Sequence, residues 1–126
     1  MRVVDTSAWI EWLLDNPLKA ELALHWPSRE ATLVPTLVQH ELTKWLCREA
    51  SEAAADQAIA YTMRCHVVAL DTRIALRAAE LAGAHKLATA DAIIYATALE
   101  HGAGLLTCDA HFEGLPGVEF IRKPAG

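Results

Sequence analysis

Apolar residues are distributed along the chain in two recurring patterns. Short runs rich in valine, leucine and isoleucine, typical of buried strands, alternate with longer stretches in which apolar residues recur at helical spacing. The predicted strands cover residues 2–4, 32–34, 67–70, 105–107 and 118–121. The predicted helices cover residues 7–14, 18–25, 37–50, 52–64, 72–83 and 90–101. Because helices separate most of the strands, we expect an α/β fold in which about six helices flank a central, mostly parallel sheet of four to five short strands.

Short polar signals indicate the ends of several helices. Thr36 and Gln39 have the spacing of a capping box at the start of the third helix. Asp71 directly precedes the fifth helix, where an aspartate commonly acts as a cap. Gly83 and Gly102 stand where the fifth and sixth helices should end, because glycine readily adopts the left-handed conformation that terminates a helix.

Length and composition indicate one folded domain. The chain has 126 residues, close to the commonest domain size, and 53% of them are hydrophobic. That share is enough for a packed core, and no linker or internal repeat is evident. We therefore expect residues 1–126 to form a single domain.

Cysteine content and the length of the apolar runs bear on cellular location. The three cysteines are odd in number and widely spaced, which fits neither a disulfide framework nor a zinc site. No apolar run reaches the roughly 20 residues of a membrane span. Acidic residues also interrupt the apolar run at the N-terminus that a signal peptide would require. These features predict a cytoplasmic protein with no membrane segment.

Four acidic residues lie where the predicted topology would bring them together. Asp5 follows the first strand and Asp109 follows the fourth, while Glu41 and Asp91 lie near the starts of the third and sixth helices. In open α/β sheets, ligands bind beyond the carboxyl ends of the strands. We therefore expect these acids to meet at that edge of the sheet.

Two of the acids have plausible structural roles as turn or capping residues. Asp5 precedes a helix and could cap it, although Thr6 and Ser7 are also good caps. Asp109 precedes a turn, where aspartate is common. Taken alone, neither residue distinguishes a functional role from a structural one.

The other two acids are harder to explain by local structure. Glu41 falls within the apolar arc of its helix, and a pair with Lys44 would contribute only a few tenths of a kcal/mol against the several kcal/mol of desolvating an unpaired ion. Asp91 begins a helix that is apolar nearly all round and is therefore expected to be buried. Asp91 suits the helix dipole there, but Thr89 could cap the helix without it.

The clustering of four carboxylates favours a bound divalent cation. Like charges repel, so such a cluster requires compensation, and hard oxygen ligands select Mg²⁺ or Mn²⁺. One or two such ions can activate water and stabilise a leaving phosphate oxygen. With 11 basic against 16 acidic residues, the net charge of −5 is poorly suited to holding nucleic acid by charge alone. A cation would allow the acidic protein to bind phosphate.

Other familiar chemistry is absent from the sequence. It contains no P-loop, no G-x-G-x-x-G and no G-x-S-x-G. His40 begins an H-E-x-x-H pattern, but Lys44 stands in place of the second histidine. His111 lies two residues past Asp109, where a surface position is favoured over contact with substrate.

Four segments together resemble the PIN-domain nucleases, and most of all the VapC-type toxins of prokaryotic toxin–antitoxin pairs. The segments are VVDTSAWIEWL, VPTLVQHEL, LATADAIIYATALEHGAGLLTCD and LPGVEFI. The resemblance implies a PIN-like domain of parallel strands, Mg²⁺-dependent endoribonuclease activity, a homodimer and an antitoxin partner that blocks the site. It also implies that Asp5, Glu41, Asp91 and Asp109 bind the metal, while Ser7 and Thr107 supply the hydroxyl groups found beside the first and last acids.

Two alternatives remain open at this point. One is a receiver-type signalling domain, with Asp71 as phospho-acceptor and Thr107 and Lys123 as its partners. Against it, only three residues follow Lys123, too few for a final helix, and Glu41 and Asp91 have no role. The other is a PIN-like fold kept for binding alone, against which the complete set of acids argues.

Overall fold

Five parallel strands form the sheet of this computed structural model, which describes residues 1–124. The strands are β1 (Arg2–Val4), β2 (Thr32–Pro35), β3 (His66–Val68), β4 (Gly104–Thr107) and β5 (Val118–Phe120). Their order across the sheet is β3-β2-β1-β4-β5, and each neighbouring pair is parallel. The predicted α/β fold is confirmed, and the sheet is parallel throughout.

Six α-helices lie between the strands within residues 1–124. They are α1 (Thr6–Leu13), α2 (Lys19–Ala23), α3 (Thr36–Glu49), α4 (Glu52–Thr62), α5 (Thr72–His85) and α6 (Thr89–Glu100). Helix α2 was predicted at residues 18–25 and is shorter in the structure, with Leu22 as its one buried residue. No helix in this part of the chain is long and apolar enough to cross a membrane.

The capping box predicted for α3 is wrong. Pro35, in an extended conformation, precedes the helix, and Thr36 is already its first residue without a capping bond from the side chain. The amide of Gln39 instead donates to Thr62 Oγ1 on α4, at 3.2 Å. The side chain of Gln39, which the local pattern assigned to the cap, therefore makes a contact between α3 and α4 instead.

Glycine predicted one helix end correctly and another incorrectly. Gly102 has φ of 60° just beyond α6 and ends it as expected. Helix α5 continues past Gly83 to His85, and Lys86, with φ of 56°, adopts the left-handed conformation there. Because α5 packs along α6, tertiary contacts outweigh the weak helix preference of a single glycine.

The core is built around β1 and α6. Val3 and Val4 on β1 are fully buried, and α6 packs against β1, β2 and β4. Its Ile94 and Tyr95 are each 1% exposed, so the prediction of a buried helix is confirmed. Helix α3 directly follows β2 and so begins at the carboxyl edge, while α6 leads directly into the start of β4 and so runs back from that same edge. This topology brings the starts of both helices to the ends of β1 and β4.

Candidate metal centre

Asp5 lies at the end of β1 with its carboxylate enclosed in the protein. Its backbone N–H donates to Leu106 O on β4, and its carbonyl accepts from the first turn of α1. The side chain makes no capping bond and is 3% exposed with the rest of the residue. The capping interpretation therefore accounts for the backbone of Asp5 but not for its carboxylate.

Two hydroxyl groups orient that carboxylate. Asp5 Oδ2 accepts hydrogen bonds from Ser7 Oγ at 2.6 Å and from Thr107 Oγ1 at 2.8 Å. The hydroxyls in turn accept from backbone N–H groups, Ser7 from Cys108 and Thr107 from Asp109. The main chain after β4 thus holds both hydroxyls with their protons toward Asp5. The other oxygen, Asp5 Oδ1, accepts no hydrogen bond from residues 1–124. It is also not fully enclosed by these residues.

Glu41 and Asp91 face the same region from two different helices. Glu41 Oε1 accepts a 2.6 Å hydrogen bond from Thr6 Oγ1 and is half-buried. The proposed pair of Glu41 with Lys44 is not among the ion pairs of residues 1–124. Asp91 lies in the first turn of α6, with its side chain 18% exposed. Thr89 is the first residue of that helix rather than its cap.

Asp109 and His111 complete the edge. Asp109 follows β4 and caps the short 3₁₀ turn Ala110–Phe112, because its Oδ1 accepts from the N–H of His111 at 2.9 Å. The ring of His111 folds back over the acids, with Nδ1 at 3.3 Å from Asp109 Oδ1 and 3.4 Å from Asp91 Oδ2. His111 was predicted to lie at the surface, and its side chain is 75% exposed, but it also contacts two of the acids.

The environment of Asp5 opposes its negative charge. Burial raises the pKa of this carboxyl from 3.8 to about 6, although the hydrogen bonds from Ser7 and Thr107 act in the opposite direction. The negative charges of Asp91 and Asp109 raise it as well. Asp5 is therefore close enough to Asp91 and Asp109 for their charges to raise its pKa.

Asp91 responds to the same neighbours. Burial and then the charge of Asp109 raise its pKa, with a smaller contribution from Glu41, while His111 lowers it. Electrostatic coupling thus links Asp91 to each of the other three acids. Of the four residues singled out from the sequence, Asp91 and Asp109 bring ligand atoms within 4.8 Å of each other, together with His111, whereas Asp5 and Glu41 lie outside that group and are linked to it through their charge.

The donor set at this edge fits a hard divalent cation. Carboxylate oxygens of Asp91 and Asp109 lie within 4.8 Å of each other, the charges of Asp5 and Glu41 act on them, and no lysine or arginine of residues 1–124 forms an ion pair with any of the four acids. Buried negative charge without a compensating cation is costly. Carboxylate oxygens are the ligands that Mg²⁺ and Mn²⁺ prefer.

The residues of the receiver-type alternative do not come together. Asp71 caps α5, since its Oδ1 accepts from the N–H of Ile74 at 2.9 Å, as the sequence predicted. It follows β3, at one edge of the sheet, whereas Lys123 follows β5 at the opposite edge. A phospho-acceptor and its lysine must be neighbours, so this alternative lacks its site.

Fold and site together define a parallel α/β domain that carries a cluster of acids at the carboxyl edge of its sheet. The family model described as PIN domain matches residues 2–118. The chain belongs to the PIN domain family. A comparison with curated proteins finds no match.

Solved structures with the same fold include toxins and toxin–antitoxin complexes. A toxin–antitoxin complex from Klebsiella pneumoniae has a TM-score of 0.80 at 24% identity, over 94% of this chain and 96% of that one. The Mycobacterium tuberculosis toxin VapC20, described as cleaving the sarcin–ricin loop, has a TM-score of 0.78 at 20% identity, over 94% and 98%. The VapBC2 complex of Rickettsia felis, bound to promoter DNA, has a TM-score of 0.74 at 13% identity, over 98% of each chain.

Proposed function

We propose that this protein is a metal-dependent endoribonuclease and the toxin of a VapBC-type toxin–antitoxin pair. The observation that carries the proposal is the meeting of Asp91 and Asp109 at the carboxyl edge of the sheet, electrostatically coupled to Asp5 and Glu41 and without a lysine or arginine partner among residues 1–124. Membership of the PIN domain family supports it. The fold shared with VapC20, which is described as a toxin that cleaves the sarcin–ricin loop, supports it as well.

In this proposal the four carboxylates hold Mg²⁺, for which Mn²⁺ can substitute. When bound, the cation supplies an activated water and neutralises charge on the phosphate. Ser7 and Thr107 keep Asp5 oriented through its Oδ2 and leave Oδ1 for the cation. Thr6 performs the same task for Glu41. The side chains of Ser7, Thr107 and Thr6 therefore position the carboxylates that hold the cation. Hydrolysis of the phosphodiester leaves a 5′-phosphate and a 3′-hydroxyl.

The first test is cleavage of RNA by the purified protein. We expect internal cuts with Mg²⁺ or Mn²⁺, loss of cleavage in EDTA, and products with 5′-phosphate and 3′-hydroxyl ends. Gel electrophoresis measures the cleavage with and without EDTA, and end-specific enzymes identify the product ends. Undiminished cleavage in EDTA or 2′,3′-cyclic phosphate ends would contradict the proposal. Phosphorylation of Asp71 by a small phosphodonor without nuclease activity would restore the receiver alternative.

An apolar groove between α1, α3 and α4 supports the antitoxin part of the proposal. It has a volume of about 360 Å³, and its lining includes Trp12, Leu13, Leu14 and Trp45. Leu14 is 52% exposed, and an apolar surface of this kind in a groove between helices suits an amphipathic helix of a partner. We assign the groove to the antitoxin, which we expect to be encoded directly upstream as a DNA-binding protein.

The second test uses growth arrest as its measurement. Expressed alone in a bacterial host, the protein should arrest growth, and coexpression of the upstream protein should relieve the arrest. Leu14→Asp should remain toxic under coexpression, because a charge in the groove opposes an apolar partner. Leu24→Asp, at a position 80% exposed and outside the groove lining, is the matched control and should be relieved like the wild type. Equal relief of both variants would exclude this groove as the antitoxin site.

The remaining expectations belong to the same proposal. They are a single domain over residues 1–126, a homodimer, and a cytoplasmic location, where RNA is available.

A further inference from the structure

His111 places a nitrogen atom among the carboxylates of the candidate site. One ligand atom from each of Asp91, Asp109 and His111 lies within 4.8 Å of the other two. The separations from Nδ1 to the nearest carboxylate oxygens are 3.3 and 3.4 Å. An octahedral ion with bonds of about 2.1 Å separates adjacent ligand atoms by about 3 Å. The three side chains are therefore spaced almost as neighbouring ligands of one ion would be.

The backbone that carries the imidazole is held in place at the edge of the site. His111 is the middle residue of the 3₁₀ turn Ala110–Phe112, which Asp109 caps through the N–H of His111 itself. The next residue, Phe112, is fully buried and packs edge-on against Tyr95 of α6. The turn is capped at one end and anchored in the core at the other, so the main chain of His111 is held where its ring can reach Asp91 and Asp109.

We propose that His111 Nδ1 is a ligand of the divalent cation and gives the site a preference for transition-metal ions such as Mn²⁺ over Mg²⁺. The inference rests on the cation site of the proposed function and adds a residue and a selectivity to it. Mg²⁺ prefers oxygen ligands throughout, whereas first-row transition-metal ions accept imidazole more readily. An additional nitrogen ligand therefore favours the second group.

The simpler role for His111 is an ion pair with Asp91 and Asp109 that leaves the cation to the carboxylates. The two roles differ in what replacement of the ring does. A ligand contributes directly to affinity for Mn²⁺ and couples its nitrogen nucleus to the unpaired electrons of that ion. A residue that only pairs with the acids competes with the cation, so its removal would leave Mn²⁺ affinity unchanged or raise it.

The test is electron paramagnetic resonance of Mn²⁺ with the full-length protein, using titration for the Kd and pulsed spectra for nitrogen coupling. In His111→Ala we expect the Kd for Mn²⁺ to rise at least about tenfold and the ¹⁴N coupling to disappear. The Kd for Mg²⁺, measured by calorimetry, should change less than about threefold. Because the side chain of His111 is 75% exposed, the variant should fold, which circular dichroism checks.

Two further variants separate the possible failures. His66→Ala is the matched control, since His66 is an exposed histidine at the opposite end of the parallel strands and should bind both ions like the wild type. Asp91→Asn should bind neither ion well. Wild-type Mn²⁺ affinity or retained ¹⁴N coupling in His111→Ala overturns the role of His111 while Asp91→Asn still shows the acid site. Failure of the wild type to bind either ion overturns the cation site of the proposed function as well.

Discussion

Asp91→Asn is expected to lower RNA cleavage by on the order of a thousandfold while leaving the protein folded. The amide keeps the size of the carboxyl group but removes the charge that the proposed cation requires. Asp91 lies in the first turn of α6, on a helix that is almost wholly buried, so a neutral group of the same shape should not disturb the packing. The loss is therefore expected in activity rather than in structure.

In contrast to the activity, the unfolding free energy of the metal-free protein should not fall in Asp91→Asn. The charge of Asp109 raises the pKa of Asp91, and Glu41 adds to this effect, so the metal-free cluster is repulsive. Removing one charge should leave the metal-free variant as stable as the wild type or slightly more stable. Added Mg²⁺ should stabilise the variant less, because a cation stabilises the native state only in proportion to its affinity for it.

Thermal melting with and without Mg²⁺, beside an RNA cleavage assay, measures these effects. Asp71→Asn is the matched control, because Asp71 is an exposed acid that caps α5 and asparagine caps equally well. This control should keep the activity, the melting temperature and the response to Mg²⁺ of the wild type. If Asp91 serves only the start of its helix, Asp91→Asn will behave like the control, and the four-acid site will have to be abandoned.

The metal-free protein is expected to lose about 2 kcal/mol of unfolding free energy through Asp5 as the pH rises from about 4 to about 7. The pKa of Asp5 is raised from 3.8 to about 6 in the folded state, so between these values the native state binds the proton more tightly than the unfolded state. The stabilisation is complete below about pH 4 and disappears as the pH passes through about 6. This direction is opposite to that of a salt-bridged aspartate.

Urea unfolding in EDTA, for the wild type and Asp5→Asn at several pH values, measures this contribution. The difference between the two proteins is the quantity of interest, because the other carboxylates contribute to both. Relative to the variant, the wild type should become less stable as the pH rises, and Mg²⁺ at pH 7 should restore much of the loss in the wild type alone. Parallel profiles would show that Asp5 ionises normally and that its burial is uncoupled from metal binding.

The arrangement of strands and acids could be predicted because it depends on features that the sequence carries directly. Alternating apolar runs and helices imply parallel strands, and parallel strands gather whatever follows them at one edge. Asp5 and Asp109 follow two adjacent strands, β1 and β4, so their convergence needs no knowledge of side-chain packing. The buried face of α6 likewise identified Asp91 from its surroundings.

Contacts between elements distant in sequence could not be predicted in this way. The hydrogen bond from Thr6 to Glu41 spans 35 positions and explains how a carboxylate is tolerated in the apolar arc of α3. The backbone position of His111 depends on the burial of Phe112 in a 3₁₀ turn, for which the sequence offers only the spacing from Asp109. The failed capping box has the same origin, since Gln39 is bonded to another helix.

The bond from Thr107 to Asp5 has a consequence for synthesis on the ribosome, because it joins positions 102 residues apart. A nascent chain that stops before β4 already contains Asp5, Glu41 and Asp91, but β1 lacks the neighbour that completes the middle of the sheet. Prematurely terminated products therefore carry no assembled centre. In the proposed function, the catalytic centre would therefore form only after β4 and Asp109 have been synthesised.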